Sequence, residues 1–315
     1  MREPAYSRRD FVGGIALTGL AASAGALLSR MAFALANGEP SLTARGAALQ
    51  RAAHQLLEDP RVFDDPLALR ILGAERVAWL GRNLDRYRRP GARAMRAFLV
   101  MRSRYAEDEL ARAIARGVRQ YVVLGAGLDT FAYRNPHPRL RVFEVDHPAT
   151  QSWKRNQLKE QSIDLPRSLT FAPVDFETQT LAAGLKAAGF RADRAAFFSW
   201  LGVVVYLSEA AVAETMHYVA ARPRGSQLIF DFAPPADSLS GPERTRRAAS
   251  AARVAKKGEP WINFQDPGPL AARLRDAGFS SARPLGTEEM NENYFKGRLD
   301  GFRLHGSGWM MNAGV

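Results

Sequence analysis

The chain has 315 residues, no cysteine, and 44 Lys and Arg against 32 Asp and Glu, a formal charge of +12. With 46% apolar and 24% charged residues it has the balance of a globular protein, which excludes wholesale disorder. The missing cysteine excludes disulfides, thiolate metal sites and a Cys nucleophile, while the charge raises the question of a polyanionic partner.

Residues 1–36 read as an address rather than as part of the domain. Ser7-Arg8-Arg9-Asp10-Phe11-Val12 resembles a twin-arginine export signal. An uncharged Gly/Ala-rich run follows from Phe11 to Ser29, and Ala32-Phe33-Ala34 and Ala34-Leu35-Ala36 offer cleavage sites. So much Gly and Ala makes a weak anchor, so a removable signal is expected and a stable membrane span is not. Met31 is an alternative start that leaves the same domain.

A single domain is expected over 37–315, with a helical part to residue 119. Thr43 is placed to cap a helix over Ala44–Leu57, where apolar residues recur near a 3.6 period. Asp59-Pro60 and Asp64-Asp65-Pro66 break it, shorter helices run through Leu84, and a further helix spans about Gly91 to Arg116 before Gly117.

The texture then changes. Tyr121–Leu124 is a short apolar run ending in Gly, as a buried parallel strand should be. Similar runs at Arg141–Val145, Leu169–Val174, Ala195–Trp200 and Gln227–Phe232 alternate with helical stretches, which argues a parallel α/β sheet over 120–233. Residues 234–267 form a polar insertion with Arg244, Arg246, Arg247, Arg253, Lys256 and Lys257, suited to a helical lid. In 268–315, Pro269–Gly278 reads as a helix, and two strands around a polar loop are expected between Ser281 and Met311.

The most informative stretch is Val123-Leu124-Gly125-Ala126-Gly127-Leu128-Asp129-Thr130, where the first strand turns toward a helix and the glycines allow a ligand close to the backbone. Thr130 replaces the third glycine of a dinucleotide fingerprint, which counts against a nicotinamide-dependent oxidoreductase. The second strand ends at Asp146, 19 residues after Gly127, the distance at which an acid grips ribose hydroxyls. The third ends Val174-Asp175-Phe176, where Asp175 suits the exocyclic amine of adenine and Phe176 its ring. Together these acids and the glycine turn imply an adenosine-containing cofactor.

Gly125–Arg134, Phe143-Glu144-Val145-Asp146-His147-Pro148 and Val174-Asp175-Phe176 resemble class I S-adenosylmethionine-dependent methyltransferases. Ser199-Trp200-Leu201-Gly202-Val203-Val204-Val205-Tyr206-Leu207-Ser208 and Met101-Arg102-Ser103-Arg104-Tyr105 look like the leucine carboxyl methyltransferase family and its bacterial and polyketide-tailoring relatives. Thr43-Ala44 and Val62-Phe63-Asp64-Asp65-Pro66 look familial too, so the likeness runs over roughly 41–310.

The resemblance implies a Rossmann-like α/β fold: a seven-stranded sheet with an antiparallel last strand and helices on both faces, plus the N-terminal helical extension and lid. It implies S-adenosyl-L-methionine as cofactor, with Arg102 pairing its methionine carboxylate. Gly125 and Gly127, with Ala126 between them, would flank its amino-acid portion. Asp146 would bind the ribose, and Asp175 with Phe176 the adenine. Many members carry Glu where this chain has Leu201, a departure that removes one polar contact beside the cofactor's amino group.

The expected activity is O-methyl transfer by direct in-line displacement to a carboxylate or hydroxyl of a small-molecule or peptide acceptor, with positioning and desolvation as the protein's main tasks. A carboxylate is ionised at neutral pH and needs no base, whereas a hydroxyl does. Tyr206 is the foremost candidate base, followed by Tyr294 and His305, all weak. Asp129 suits either capping the next helix or ligand contact, His147 a turn at the strand end, and Trp200 core packing.

The five histidines show no metal-ligand spacing, so no metal is expected. Residues 1–36 carry only +2 of the charge, and the rest is dispersed without a long basic run. That distribution fits an anionic acceptor at least as well as nucleic acid, which is not expected as a partner. The alternatives are a binding protein that retains the fold without catalysis and a nicotinamide-dependent oxidoreductase. The export signal points to the periplasm, whereas cofactor supply points to the cytoplasm.

Overall fold

The computed structural model describes residues 42–175, 179–256 and 258–315, so residues 1–36, read above as an export signal, as well as Phe176 and Lys257, lie outside the described residues. The chain opens with α1 (Leu42–Leu57), followed by α2 (Ala74–Arg82), α3 (Leu84–Arg88) and the long α4 (Pro90–Ala115). Pro90 starts α4 at a position whose N–H has no helical partner anyway, and Gly117 at φ +104° ends the run. Ala97, Val100, Met101, Tyr105 and Leu110 form the buried stripe of α4, and Arg102 follows Met101 at the stripe's edge.

Seven strands follow: β1 (Gln120–Leu124), β2 (Arg141–Asp146), β3 (Leu169–Pro173), β4 (Phe197–Trp200), β5 (Gln227–Phe232), β6 (Ser281–Leu285) and β7 (Trp309–Gly314). Their order is β3-β2-β1-β4-β5-β7-β6, with the first five parallel and β7 antiparallel between β5 and β6. The α5 turn (Phe131–Arg134), α6 (Pro148–Glu160), α7 (Leu181–Ala187) and α8 (Glu209–Ala220) make the crossovers. The insertion carries α9 (Gly241–Ala255), and α10 (Pro267–Asp276) and α11 (Thr287–Tyr294) flank β6.

Alternate strand residues feed separate cores on the two sheet faces. Val122, Phe143, Phe198 and Phe230 pack with Leu185, Val212 and Leu274, while Tyr121, Val142, Phe197 and Ile229 pack with Met101, Leu110 and Met290. Each fully buried Leu or Phe contributes about 1.5–3 kcal/mol, so burial on both faces dominates the stability. The sheet thus has the predicted seven strands, with helices on both sides.

Two details differ from the sequence expectation. Thr43 lies inside the first turn of α1 rather than capping it. The polar loop before the last strand contains α11, whose sequence is polar except for a buried Met290 and so shows little helical periodicity. Among the described residues, no helix is long and apolar enough to cross a membrane.

Candidate functional site

β1 and β4 are neighbours whose following connections run to opposite sides of the sheet, which opens a crevice at their carboxyl ends. A cavity of about 370 Å³ lies there, within the range of small-ligand sites. Its floor is the β1 turn, Val123 to Asp129; Asp146 and His147 come from the end of β2, and Ser199 with Leu201–Val203 from the end of β4. Arg102 and Ser103 enter from α4, and Leu42, Thr43, Ala44 and Ala47 of α1 with Gly258 and Glu259 of the insertion complete the wall.

Glycine is required by geometry at Gly125 and Gly127. Both have positive φ, +67° and +43°. A Cβ on Gly125 would sit 2.5 Å from Val203 Cγ2, and one on Gly127 would sit 3.1 Å from the Ala44 Cβ. The bare backbone therefore forms a thin floor between walls that are already close.

Asp146 is fixed by that floor. Its Oδ2 accepts the Gly127 N–H at 2.6 Å and its Oδ1 accepts the His147 N–H at 2.8 Å. Each oxygen keeps further lone-pair capacity for a hydroxyl donor. Burial pushes the Asp146 carboxyl up, against the pull of the two backbone N–H groups.

Arg102 enters the cavity from the β4 side and is tied on one edge by Asp231 of β5, Nη1 to Oδ2 at 2.8 Å. Gly202, with φ +75°, lets the guanidinium lie against the backbone, because a Cβ there would come within 2.7 Å of Arg102 Nη2. Leu201 also lines the cavity. A cation and an acid thus enter one cavity over a glycine floor, a donor set that fits a ligand with a carboxylate at one end and neighbouring hydroxyls at the other.

Six of the eight residues singled out for cofactor binding line this cavity: Arg102, Gly125, Ala126, Gly127, Asp146 and Leu201. Asp175 lies just past β3, half-buried and outside the cavity lining, and Phe176 lies outside the described residues. Tyr206 lines the cavity, and Thr43 and Trp261 face its hydroxyl; burial pushes its pKa up. Tyr294 points elsewhere, donating to Asp108 Oδ2 at 3.3 Å, and His305 is exposed, so neither is a base for this cavity. Trp200 packs in the core, only 3% exposed. His147 caps α6, its Nδ1 accepting the Ala149 N–H, and Asp129 accepts the Phe131 N–H while also lining the cavity.

Sequence reasoning missed Arg51, Asp231 and Glu259. Arg51 lines the cavity and donates to Leu128 O at 2.6 Å. Glu259 accepts the N–H groups of Leu42 and Thr43, 3.1 Å each, and so joins the insertion to α1. Only Asp231 left a readable sign, as a lone acid inside the apolar run Leu228–Phe232. Among the described residues, no three His, Asp or Glu gather as a metal site would require.

Residues 44–220 match the family described as leucine carboxyl methyltransferase. A Bacillus subtilis relative, YktD, provisionally named an S-adenosyl-L-methionine-dependent methyltransferase, is 29% identical over 285 residues, covering 83% of this chain and 93% of its own. A Frankia alni relative with the same provisional name is 34% identical over 280 residues, 81% of this chain and 92% of its own. Other relatives match over a shorter core, 54–66% of their length. The crystal structure of a provisionally assigned Thermobifida fusca methyltransferase shares the fold, with a TM-score of 0.55 over 89% of this chain and 96% of its own at 15% identity.

Proposed function

The chain belongs to the leucine carboxyl methyltransferase family and is an S-adenosyl-L-methionine-dependent methyltransferase; we propose that it methylates a carboxylate oxygen of a small-molecule acceptor. The observation that carries the acceptor class is the state of the basic groups around the cavity. Asp129, Asp146, His147 and Glu259 each already accept backbone N–H groups. Tyr206, with its pKa raised by burial, stays a phenol at neutral pH. The four acceptors are occupied in holding backbone, so a carboxylate, which arrives ionised and needs no base, asks less of this cavity than a hydroxyl does.

When bound, the cofactor supplies a methyl group already activated on a sulfonium. Arg102 would hold its carboxylate through charge-assisted hydrogen bonds, and Gly125, Ala126 and Gly127 would let its amino-acid portion approach the backbone. Asp146 would accept the ribose hydroxyls. Asp175, at the same sheet edge one strand further out, and Phe176 would serve the adenine. Leu201 would present an apolar wall beside the cofactor's amino-acid end. The protein's own work is to orient the acceptor and exclude water.

Calorimetric titration of the full chain with S-adenosylhomocysteine, followed by turnover assays with matched carboxylic acid and alcohol acceptors, tests this reading. Saturable binding with turnover only of the acids is expected. A folded chain that binds NADH instead, or that methylates alcohols alone, refutes it.

A further inference from the structure

Asp231 occupies an odd place for an acid. It sits in β5 between Phe230 and Phe232, and the residue is only 7% exposed. Its two oxygens do different things. Oδ2 accepts from Arg102 Nη1 at 2.8 Å, and Oδ1 accepts the Gly202 N–H at 2.5 Å. A single carboxylate therefore joins α4, the turn after β4 and β5 at the wall of the cavity.

The geometry around that link is closed to alternatives. Gly202 has no Cβ, and one placed there would meet Arg102 Nη2 at 2.7 Å and Nη1 at 2.9 Å. The guanidinium is thus pressed against the turn on one face and anchored on one edge. Among the described residues, Asp231 is its one hydrogen-bonded partner, and a guanidinium carries five N–H donors, so most of its donors remain for the cavity it lines. Next to the same turn stands Leu201, which lines the cavity with an apolar side chain.

We infer that Asp231 is a positioning residue for the amino-acid end of the cofactor: it aims the Arg102 fork and fixes the Gly202 turn against which the fork lies. The inference rests on the cofactor reading proposed above. Asp231 is not among the residues lining the cavity, so it acts through Arg102 and Gly202 and through its field, which is strong where water is scarce. A paired arginine still binds a second carboxylate, because the pair uses one of its edges and leaves its fork geometry intact.

The test compares two ligands that differ only at that end. S-adenosylhomocysteine has the amino-acid portion; 5′-methylthioadenosine lacks it. With Asp231→Asn, binding of S-adenosylhomocysteine measured by calorimetry should weaken about 10- to 100-fold, while 5′-methylthioadenosine binds as to wild type. Arg102→Lys should show the same selective loss, since an ammonium keeps the charge but not the fork. If Asp231→Asn folds poorly, the double variant Arg102→Met/Asp231→Leu removes the buried charges together, should regain wild-type melting, and should still lose only the S-adenosylhomocysteine advantage. Equal losses for both ligands, or no loss for either, overturn the inference. A wild-type chain that binds neither ligand fails earlier, at the cofactor reading, and the inference falls with it.

Discussion

Glu259 Oε2 lies 3.1 Å from the Thr43 backbone nitrogen, a contact between residues 216 positions apart that fastens the insertion to the first turn of α1. The other oxygen takes the Leu42 N–H at the same distance, and all three residues line the cavity. An acid at a helix N-terminus satisfies N–H groups that have no helical partner and also meets the positive end of the helix dipole. A cofactor held in the cavity would have this contact as part of its wall. Glu259→Ala should therefore speed dissociation of S-adenosylhomocysteine by about tenfold, with Glu259→Gln intermediate, because an amide keeps one of the two acceptor oxygens. Stopped-flow displacement read by Trp261 fluorescence checks it, and an unchanged dissociation rate in both variants rejects that role for the contact.

Asp146 makes binding pH-dependent with a definite sign. Its carboxyl is raised by burial, so it takes up a proton at higher pH than an exposed aspartate does. Once protonated it offers less to a pair of ribose hydroxyls. Affinity for S-adenosylhomocysteine should therefore fall on acidification before exposed carboxylates titrate. Asp146→Asn should bind about tenfold more weakly at neutral pH, with that pH dependence flattened. Unlike Asp231→Asn, it should weaken 5′-methylthioadenosine as well, because the ribose is common to both ligands. Calorimetry from neutral to acid pH with each ligand decides both points.

The parallel core was legible because strands buried on both faces must be apolar throughout, and Tyr121–Leu124 and Gln227–Phe232 lie almost where the runs end. The glycine floor was legible for a related reason: glycine at a strand's carboxyl end has a meaning that survives without the fold. The contact of the insertion with α1 was not, since Glu259 recognises backbone N–H groups and any residue at positions 42 and 43 would present them. Local spacing carries no trace of such a contact. Helix α11 was hidden by its own polarity, because it buries little beyond Met290 and Asn291. Asp231 stood in plain view as the one acid in an apolar strand, yet its partner Arg102 is 129 positions away and only the sheet order brings them together.

Gly125 tests how tightly the floor is built. Alanine there adopts φ +67° at a cost of about 1–2 kcal/mol, and its methyl would meet Val203 Cγ2 at 2.5 Å. Val203 follows Leu201 and Gly202 in the turn that carries the Asp231 contact, so relief of the clash displaces that turn. Gly125→Ala should lose measurable binding of S-adenosylhomocysteine while the chain stays folded. Adding Val203→Ala should return part of the affinity, because it removes the collision but not the backbone strain. Full recovery in the double variant shows strain to be negligible, and no recovery shows that the collision is not the cause.

Away from the cavity, α1 is tied to α4 by a buried charged network whose stability depends on pH. Glu58 accepts from Arg96 at 2.9 and 2.6 Å and pairs with His54 Nδ1 at 2.9 Å, while His54 Nε2 accepts the Val62 and Phe63 N–H groups. That acceptance leaves the Nδ1 proton facing Glu58. Burial alone would raise the Glu58 carboxyl, but the hydrogen bonds from His54 and Arg96 outweigh it and hold it below the ordinary carboxylate range. A lowered acid contributes stability above its unfolded pKa and loses it as pH falls through the folded value. Glu58→Gln leaves Arg96, 1% exposed, without its counter-charge, and should cost about 3–5 kcal/mol at neutral pH. The gap from wild type should narrow as pH drops into the range where Glu58 itself takes up a proton. Urea unfolding at neutral and acid pH measures both quantities, and a gap that stays constant or widens on acidification rules out the network as its source.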